Sequence, residues 1–240
     1  MLESMTCAAV IPCFNETASI GPLIAAVRGF LPLVIVVDDG STDNTTTAAS
    51  DAGAMVVHHE RNCGKGAALR TGLSHALNLG FDWVVTLDGD GQHVASDLPK
   101  LLHCAERTAA SLVVGNRMHN ARVIPWLRRW VNRWMSRQLS RCAGRDLPDT
   151  QCGFRVIHLK TWASLPLNTE HFEIESEMLM AFLAAKHPVA FVPNQVVGRG
   201  QGSRIRPVTD ALRWLKWWRG LEQVPAHPLK IENSPAWQMR

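Results

Sequence analysis

The 240-residue chain has no tyrosine, so its aromatic contacts rest on seven Phe and nine Trp. No phenolic hydroxyl is available to a ligand. Its six cysteines, Cys7, Cys13, Cys63, Cys104, Cys142 and Cys152, form no C-x-x-C pair and show no zinc-like spacing. That argues against a disulfide framework and predicts reduced thiols in a cytoplasmic protein. No apolar run approaches the roughly 18 to 20 residues needed to cross a bilayer. The opening stretch MLESMTCAAVIPCF carries an acidic Glu3 and no basic n-region, unlike a secretory leader. Any membrane contact is therefore expected to be peripheral. Charge is sparse too: 19% of residues are charged, the net charge is +4, and much of the basic excess falls after residue 116.

What is present suffices for a sizeable core, since 46% of the residues are hydrophobic. Two periodicities alternate along the chain. CAAVIP, LVIVVDD, MVVHHE and WVVTLD read as strands, whereas residues 17–29, TDNTTTAASDAG and GKGAALRTGLSHALNLG read as helices. The alternation predicts an α/β fold with a mostly parallel sheet covered by helices. Ligands collect at the carboxyl ends of such strands. Three of those ends carry polar residues: Asn15 and Glu16, the run DDGS at 38–41, and DGDG at 88–91.

Asp88 and Asp90 repel each other unless a cation lies beside them, and a hard divalent ion such as Mg²⁺ or Mn²⁺ suits carboxylates working with substrate phosphates. Gly89 and Gly91 permit the close backbone approach and unusual dihedrals of such a turn. Taken alone, the same string is also an ordinary solvated acidic turn. In VVDDGSTDNT, Ser41 or Thr42 is placed to cap the next helix, which leaves the Asp38–Asp39 pair without a purely local explanation. In IPCFNE, Pro12 and Phe14 offer flat surfaces to a base, while Glu16 is either a ligand contact or a charge favoured by a helix N-terminus. Lys65, flanked by glycines at the start of a helix, suits a phosphate, but the G-x-x-x-x-G-K-[ST] spacing of a P-loop is missing.

In combination these residues resemble the inverting family-two glycosyltransferases of GT-A (Rossmann-like) fold. IPCFNE, VVDDGSTDNT, NCGKGAAL, LDGDGQH, GNR and DTQCGFRV follow the family's order across roughly residues 7–220. The set looks most like the branch of dolichyl-phosphate mannose synthases and polyprenyl-phosphate glycosyltransferases. The resemblance implies a single domain over 1–220, with a nucleotide-sugar half at 1–118 and an acceptor half at 119–220, followed by a Pro-rich tail at 221–240. It implies that Pro12, Phe14, Glu16, Asp39, Lys65 and Asp88 bind the donor, with Asp39 accepting from a base N–H. Asp88, Asp90 and Gln92 are implied ligands of Mg²⁺ or Mn²⁺. Arg117, with Arg129, Arg199 or Arg204, would meet an acceptor phosphate. Two departures stand out: Phe14 occupies a position where Tyr is usual, and Cys152 one where several relatives have Ser.

A lipid phosphate is already anionic and needs positioning arginines more than a base, whereas a hydroxyl acceptor calls for a carboxylate. The candidate segment is EHFEIESEML, where Glu173 and Glu177 are four apart and Glu175 points elsewhere if the segment is helical; a charged helix start is the plainer reading. Trp126, Trp130 and Trp134 recur every four residues beside Arg129, Arg133, Arg137 and Arg141. This is the pattern of a basic amphipathic helix at a membrane surface, or of Trp packing with solvated Arg. Residues 207–219 repeat it, with Val208, Ala211, Leu212 and Leu215 on one face and Trp214, Trp217 and Trp218 around it.

The expectation is therefore a metal-dependent inverting transferase, with Asp90, Arg117, Arg129, Arg204 and Glu175 as its catalytic residues. It would move a sugar from a UDP- or GDP-linked donor to a polyprenyl phosphate, peripherally on the cytoplasmic face of the membrane, with a separate membrane protein as a further candidate partner. The alternatives are transfer to a hydroxyl on another lipid or envelope glycan, and a non-catalytic nucleotide-sugar or RNA-binding module. Carboxylates at three strand ends argue against the last, and no nucleic-acid partner is expected.

Overall fold

Strand β1 (Cys7–Cys13) is buried at nearly every position, and β2 (Val34–Asp38) at all of them. Continuous apolar burial of this kind requires cover on both faces of the sheet. The computed structural model, which describes residues 5–119, 124–198 and 207–223, supplies that cover. Helices α1 (Thr17–Arg28), α2 (Thr45–Asp51) and α3 (Lys65–Asn78) alternate with β1, β2, β3 (Met55–His58) and β4 (Trp83–Thr86). They continue into α4 (Leu98–Thr108), β5 (Leu112–Asn116), α5 (Trp126–Ala143), β6 (Arg155–His158), α6 (Leu159–Ala163), α7 (Ile174–Ala184), β7 (Val189–Pro193) and α8 (Pro207–Gln223).

The seven strands run in the order β3-β2-β1-β4-β6-β5-β7. All pairings are parallel except those of β6, which is antiparallel to both β4 and β5. The α/β expectation holds, with one reversed strand that joins the two ends of the sheet and carries it across residue 118. Arg155, at the start of β6, is fully buried and donates to the carbonyls of Thr150, Cys152 and Glu175. It thus ties the loop before β6 to α7, satisfying carbonyls that burial would otherwise leave costly.

One local expectation needs correction. The helix expected from Thr42 begins at Thr45, and neither Ser41 nor Thr42 caps it. Asp43 Oδ1 accepts the Thr45 N–H instead, and Ser41 Oγ accepts the N–H of Asn15. On α8 the residues expected to share one apolar face divide between surface and core. Ala211 and Leu212 are exposed, whereas Trp214 is buried and Trp217 and Trp218 pack on the core with Leu215. The side chain of Val208, the residues Arg199 and Arg204, and the tail from 224 onward lie outside the described residues.

Candidate active site

The carboxyl ends of β1, β2 and β4 meet on one edge of the sheet because these strands are neighbours and parallel. The loops after β1 and β2 are stitched together. Thr42 N–H donates to Asn15 Oδ1 at 2.7 Å, and Glu16 N–H donates to Thr45 Oγ1 at 2.8 Å. Pro12, Phe14 and Glu16 are each half-buried along this seam. Glu16 precedes α1 and accepts from Ser19 Oγ at 3.1 Å, so ligand contact and helix-end charge remain compatible roles.

The Asp38–Asp39 pair divides its work. Asp38 is fully buried and accepts from Ser41 N–H and Thr46 Oγ, which holds the turn into α2. Burial would raise its pKa, but those bonds outweigh it and the carboxyl stays below its ordinary value. Asp39 points the other way, as successive residues of a strand do. Its Oδ1 accepts the Cys63 N–H at 2.9 Å and faces His59 Nδ1 at 2.8 Å, and its Oδ2 accepts the Gly64 N–H at 2.8 Å. Three of the roughly four lone-pair positions of a carboxylate are thereby used.

At the end of β4 both glycines of DGDG are needed. A Cβ on Gly89 would lie 2.5 Å from Cys13 Sγ, and Gly91 has φ +70°. Asp88 Oδ1 receives the Lys65 ammonium at 2.5 Å, and its Oδ2 lies 3.3 Å from His93 Nε2. Burial alone would raise the Asp88 pKa, but Lys65 and His93 outweigh it and hold the carboxyl well below the usual carboxylate range. Lys65, the first residue of α3, also pairs with buried Glu175, and its ammonium stands 5.6 Å from the centre of the Phe172 ring. Burial opposes its charge, but the two carboxylates raise its pKa above that of an ordinary lysine. Asp90 Oδ1 accepts the Gln92 N–H at 3.1 Å. Asp88, Asp90 and Gln92 can offer carboxylate and amide oxygens, while Lys65 and His93 already engage the two oxygens of Asp88. Such oxygen donors fit a hard divalent ion.

Beyond Gln92 lies a cavity shared by Gln92, Arg117, Arg128, Asn132, Val196 and Val197. Arg117 follows β5 and is buried in a forked pair with Asp149, with Nε 2.8 Å from Oδ2 and Nη2 2.9 Å from Oδ1. Burial disfavours its charge, but Asp149 more than restores it. Arg128, rather than Arg129, lines this cavity, with Asn132 one helical turn further along α5. Glu175 is 4% exposed, and Glu173 is buried with Oε2 lacking a hydrogen-bond partner. Cys152 is fully buried, and burial pushes its thiol up to about 12, consistent with packing rather than nucleophilic attack.

Sequence reasoning therefore picked out the three strand ends and Arg117 but not Arg128, Asn132, Asp149 or His93. Asp149 and His93 stand inside motifs that were legible as strings. Arg128 and Asn132 carried one faint signal, their spacing of four on a helix.

Residues 8–161 match the sequence model of the family described as Glycosyl transferase family 2. The undecaprenyl-phosphate mannosyltransferase of Micrococcus luteus is 28% identical over 233 residues, spanning 88% of this chain and 96% of that protein. The polyprenol monophosphomannose synthase of Mycolicibacterium smegmatis is 26% identical over 217 residues, 82% of each chain. In fold, the chain resembles the glucosyl-3-phosphoglycerate synthase of Mycobacterium tuberculosis solved with Mn²⁺, uridine diphosphate and phosphoglyceric acid. The TM-score is 0.71 at 22% identity, over 92% of this chain and 78% of that one.

Proposed function

Since the chain belongs to glycosyl transferase family 2, we propose that it moves a sugar, with inversion, from a nucleotide-sugar donor to a polyprenyl phosphate. One observation carries this reading. Gln92 of the D-x-D-x-Q run shares a cavity with Arg117, Arg128 and Asn132, which supports a donor diphosphate end lying beside a basic cradle for an anionic acceptor. The two lipid-phosphate transferases among its relatives support the same acceptor class.

In this reading 1–118 is the donor half and 119–220 the acceptor half. Pro12 and Phe14 pack on the base, Asp39 offers its remaining acceptor position to a base N–H, and Glu16 borders the ribose. Asp88, Asp90 and Gln92 hold Mg²⁺ or Mn²⁺, which offsets the charge that builds on the departing diphosphate. Lys65 holds Asp88 in place and lies beside the same charge. Arg117, fixed by Asp149, orients the acceptor phosphate with Arg128, and Arg129 and Arg204 are further candidates for contact with that phosphate. Alignment of an oxygen that is already anionic replaces a general base. Glu175 acts by positioning Lys65.

In this reading the protein attaches peripherally at the cytoplasmic face of a membrane, and α5 supports the attachment. Trp126 is 73%, Leu127 56% and Trp130 63% exposed, with Arg133, Arg137 and Arg141 exposed along the same helix. Such a surface suits anionic headgroups. The hydroxyl-acceptor alternative keeps one supporting observation, the unpartnered Oε2 of buried Glu173.

The test supplies labelled UDP- and GDP-sugars with Mn²⁺ and a polyprenyl phosphate in detergent. A lipid product whose sugar is released by mild acid supports a glycosyl phosphate. An acid-stable glycoside would instead establish a hydroxyl acceptor.

A further inference from the structure

His59 and Cys63 belong to no strand-end motif, yet both converge on Asp39. One ligand atom from each of the three, a carboxylate oxygen, an imidazole nitrogen and a thiol sulfur, lies within 4.8 Å of the other two. We propose that Asp39, His59 and Cys63 form a second cation site, for a borderline divalent ion of the zinc class. Its chemistry, with a thiol among the donors, is distinct from that of the carboxylates at the end of β4.

The donor set decides the class of ion. Thiolate and imidazole favour zinc-like ions, whereas Mg²⁺ and Mn²⁺ prefer oxygen, so the two sites sort ions by ligand type. Three protein ligands leave a fourth tetrahedral position for water or a ligand. The cluster is held in advance. Gly40 has φ +74°, and a Cβ there would lie 2.5 Å from the carbonyl carbon of Arg61, so only glycine lets the loop bearing Cys63 close over Asp39. The N–H groups of Cys63 and Gly64 fix the carboxylate, which is 3% exposed.

The outer partner is present as well. His59 Nε2 lies 3.0 Å from Thr71 Oγ. With no metal, His59 Nδ1–H donates to Asp39. Metal binding moves the ring proton to Nε2, where Thr71 accepts it, and frees the Nδ1 lone pair for the ion, while the Cys63 thiol proton goes to solvent. A zinc-class ion there takes up Asp39. On the reading that Asp39 holds the donor base, the ion and the nucleotide exclude each other, and the site acts as an inhibitory switch.

Co²⁺ serves as the probe, added to the full chain alone, with Zn²⁺ as competitor. The wild type should show a thiolate-to-cobalt charge-transfer band that Zn²⁺ abolishes. Cys63→Ser should lose the band, and both it and His59→Gln should weaken Zn²⁺ at least about tenfold, with circular dichroism unchanged. No such band in the wild type, or equal Zn²⁺ affinity in wild type and Cys63→Ser, overturns the site. Adding the nucleoside diphosphate that the protein retains in dialysis should displace Co²⁺. A band that persists at saturating nucleotide upholds the metal site and contradicts Asp39 as the base holder, so the two failures are separable.

Discussion

The Lys65 ammonium lies 2.5 Å from Asp88 Oδ1 and also against Glu175, so one buried cation joins the end of β4 to helix α7. The first carboxylate of D-x-D is thereby held in place by the chain itself.

Replacing Lys65 by Met leaves two largely buried carboxylates without their counter-charge and should cost about 3 to 5 kcal/mol at pH 7, read by urea unfolding. The depressed pKa of Asp88 sets the pH dependence. Its contribution is complete above the unfolded value of about 3.9 and is lost as pH falls through the lower folded value. Lys65 has a raised pKa. Its contribution is complete below about 10.4 and declines only as pH rises through the folded value. The gap between wild type and Lys65→Met should therefore be widest at neutral and mildly alkaline pH and narrow in acid, as the unpaired carboxylates of the variant take up protons above their ordinary pKa. A gap that widened in acid would contradict the pairing.

Arg117 grips Asp149 through two nitrogens, and lysine cannot reproduce that fork. Arg117→Lys should lower kcat/KM for lipid transfer by about 10²-fold while nucleotide retention in equilibrium dialysis stays within a factor of three or so. Equal losses of both would move Arg117 to the donor side.

Trp214 is 2% exposed, whereas Trp126 and Trp130 are mostly exposed. Trp214→Ala should cost about 3 to 5 kcal/mol. The double change Trp126→Ala, Trp130→Ala should stay within about 0.5 kcal/mol and yet abolish co-sedimentation with anionic vesicles. Unchanged sedimentation would remove α5 from the membrane surface.

Glu173→Gln separates the acceptor classes. With a phosphate acceptor its turnover should fall less than about tenfold, whereas loss of a general base costs about 10² to 10⁴.

The parallel half of the fold was legible because β1, β2 and β4 are short apolar runs with polar ends, and their carboxylates stand where parallel topology gathers ligands. Strand β6 was not, since nothing in RVIH encodes its reversed insertion between β4 and β5. The Trp residues of α5 illustrate what spacing alone leaves open. Four residues advance a helix by about 400°, so each successive Trp rotates about 40° around the axis. Trp126 and Trp130 therefore face outward, while Trp134 turns in to meet Trp214 and Trp218 at 5.7 and 6.2 Å. The same angular argument selects Arg128 over its neighbour Arg129 for the cavity. The ties of Asp39 to His59 and of Lys65 to Glu175 join residues 20 and 110 positions apart, a closeness that only the folded chain creates.

The most direct test of the account is turnover of a UDP- and GDP-sugar panel with Mn²⁺ and undecaprenyl phosphate, comparing wild type with Asp90→Asn. The account predicts a metal-dependent glycosyl phosphate from the wild type and a loss of at least about 10²-fold in the variant. Undiminished transfer by Asp90→Asn, or transfer that survives chelation, would contradict it.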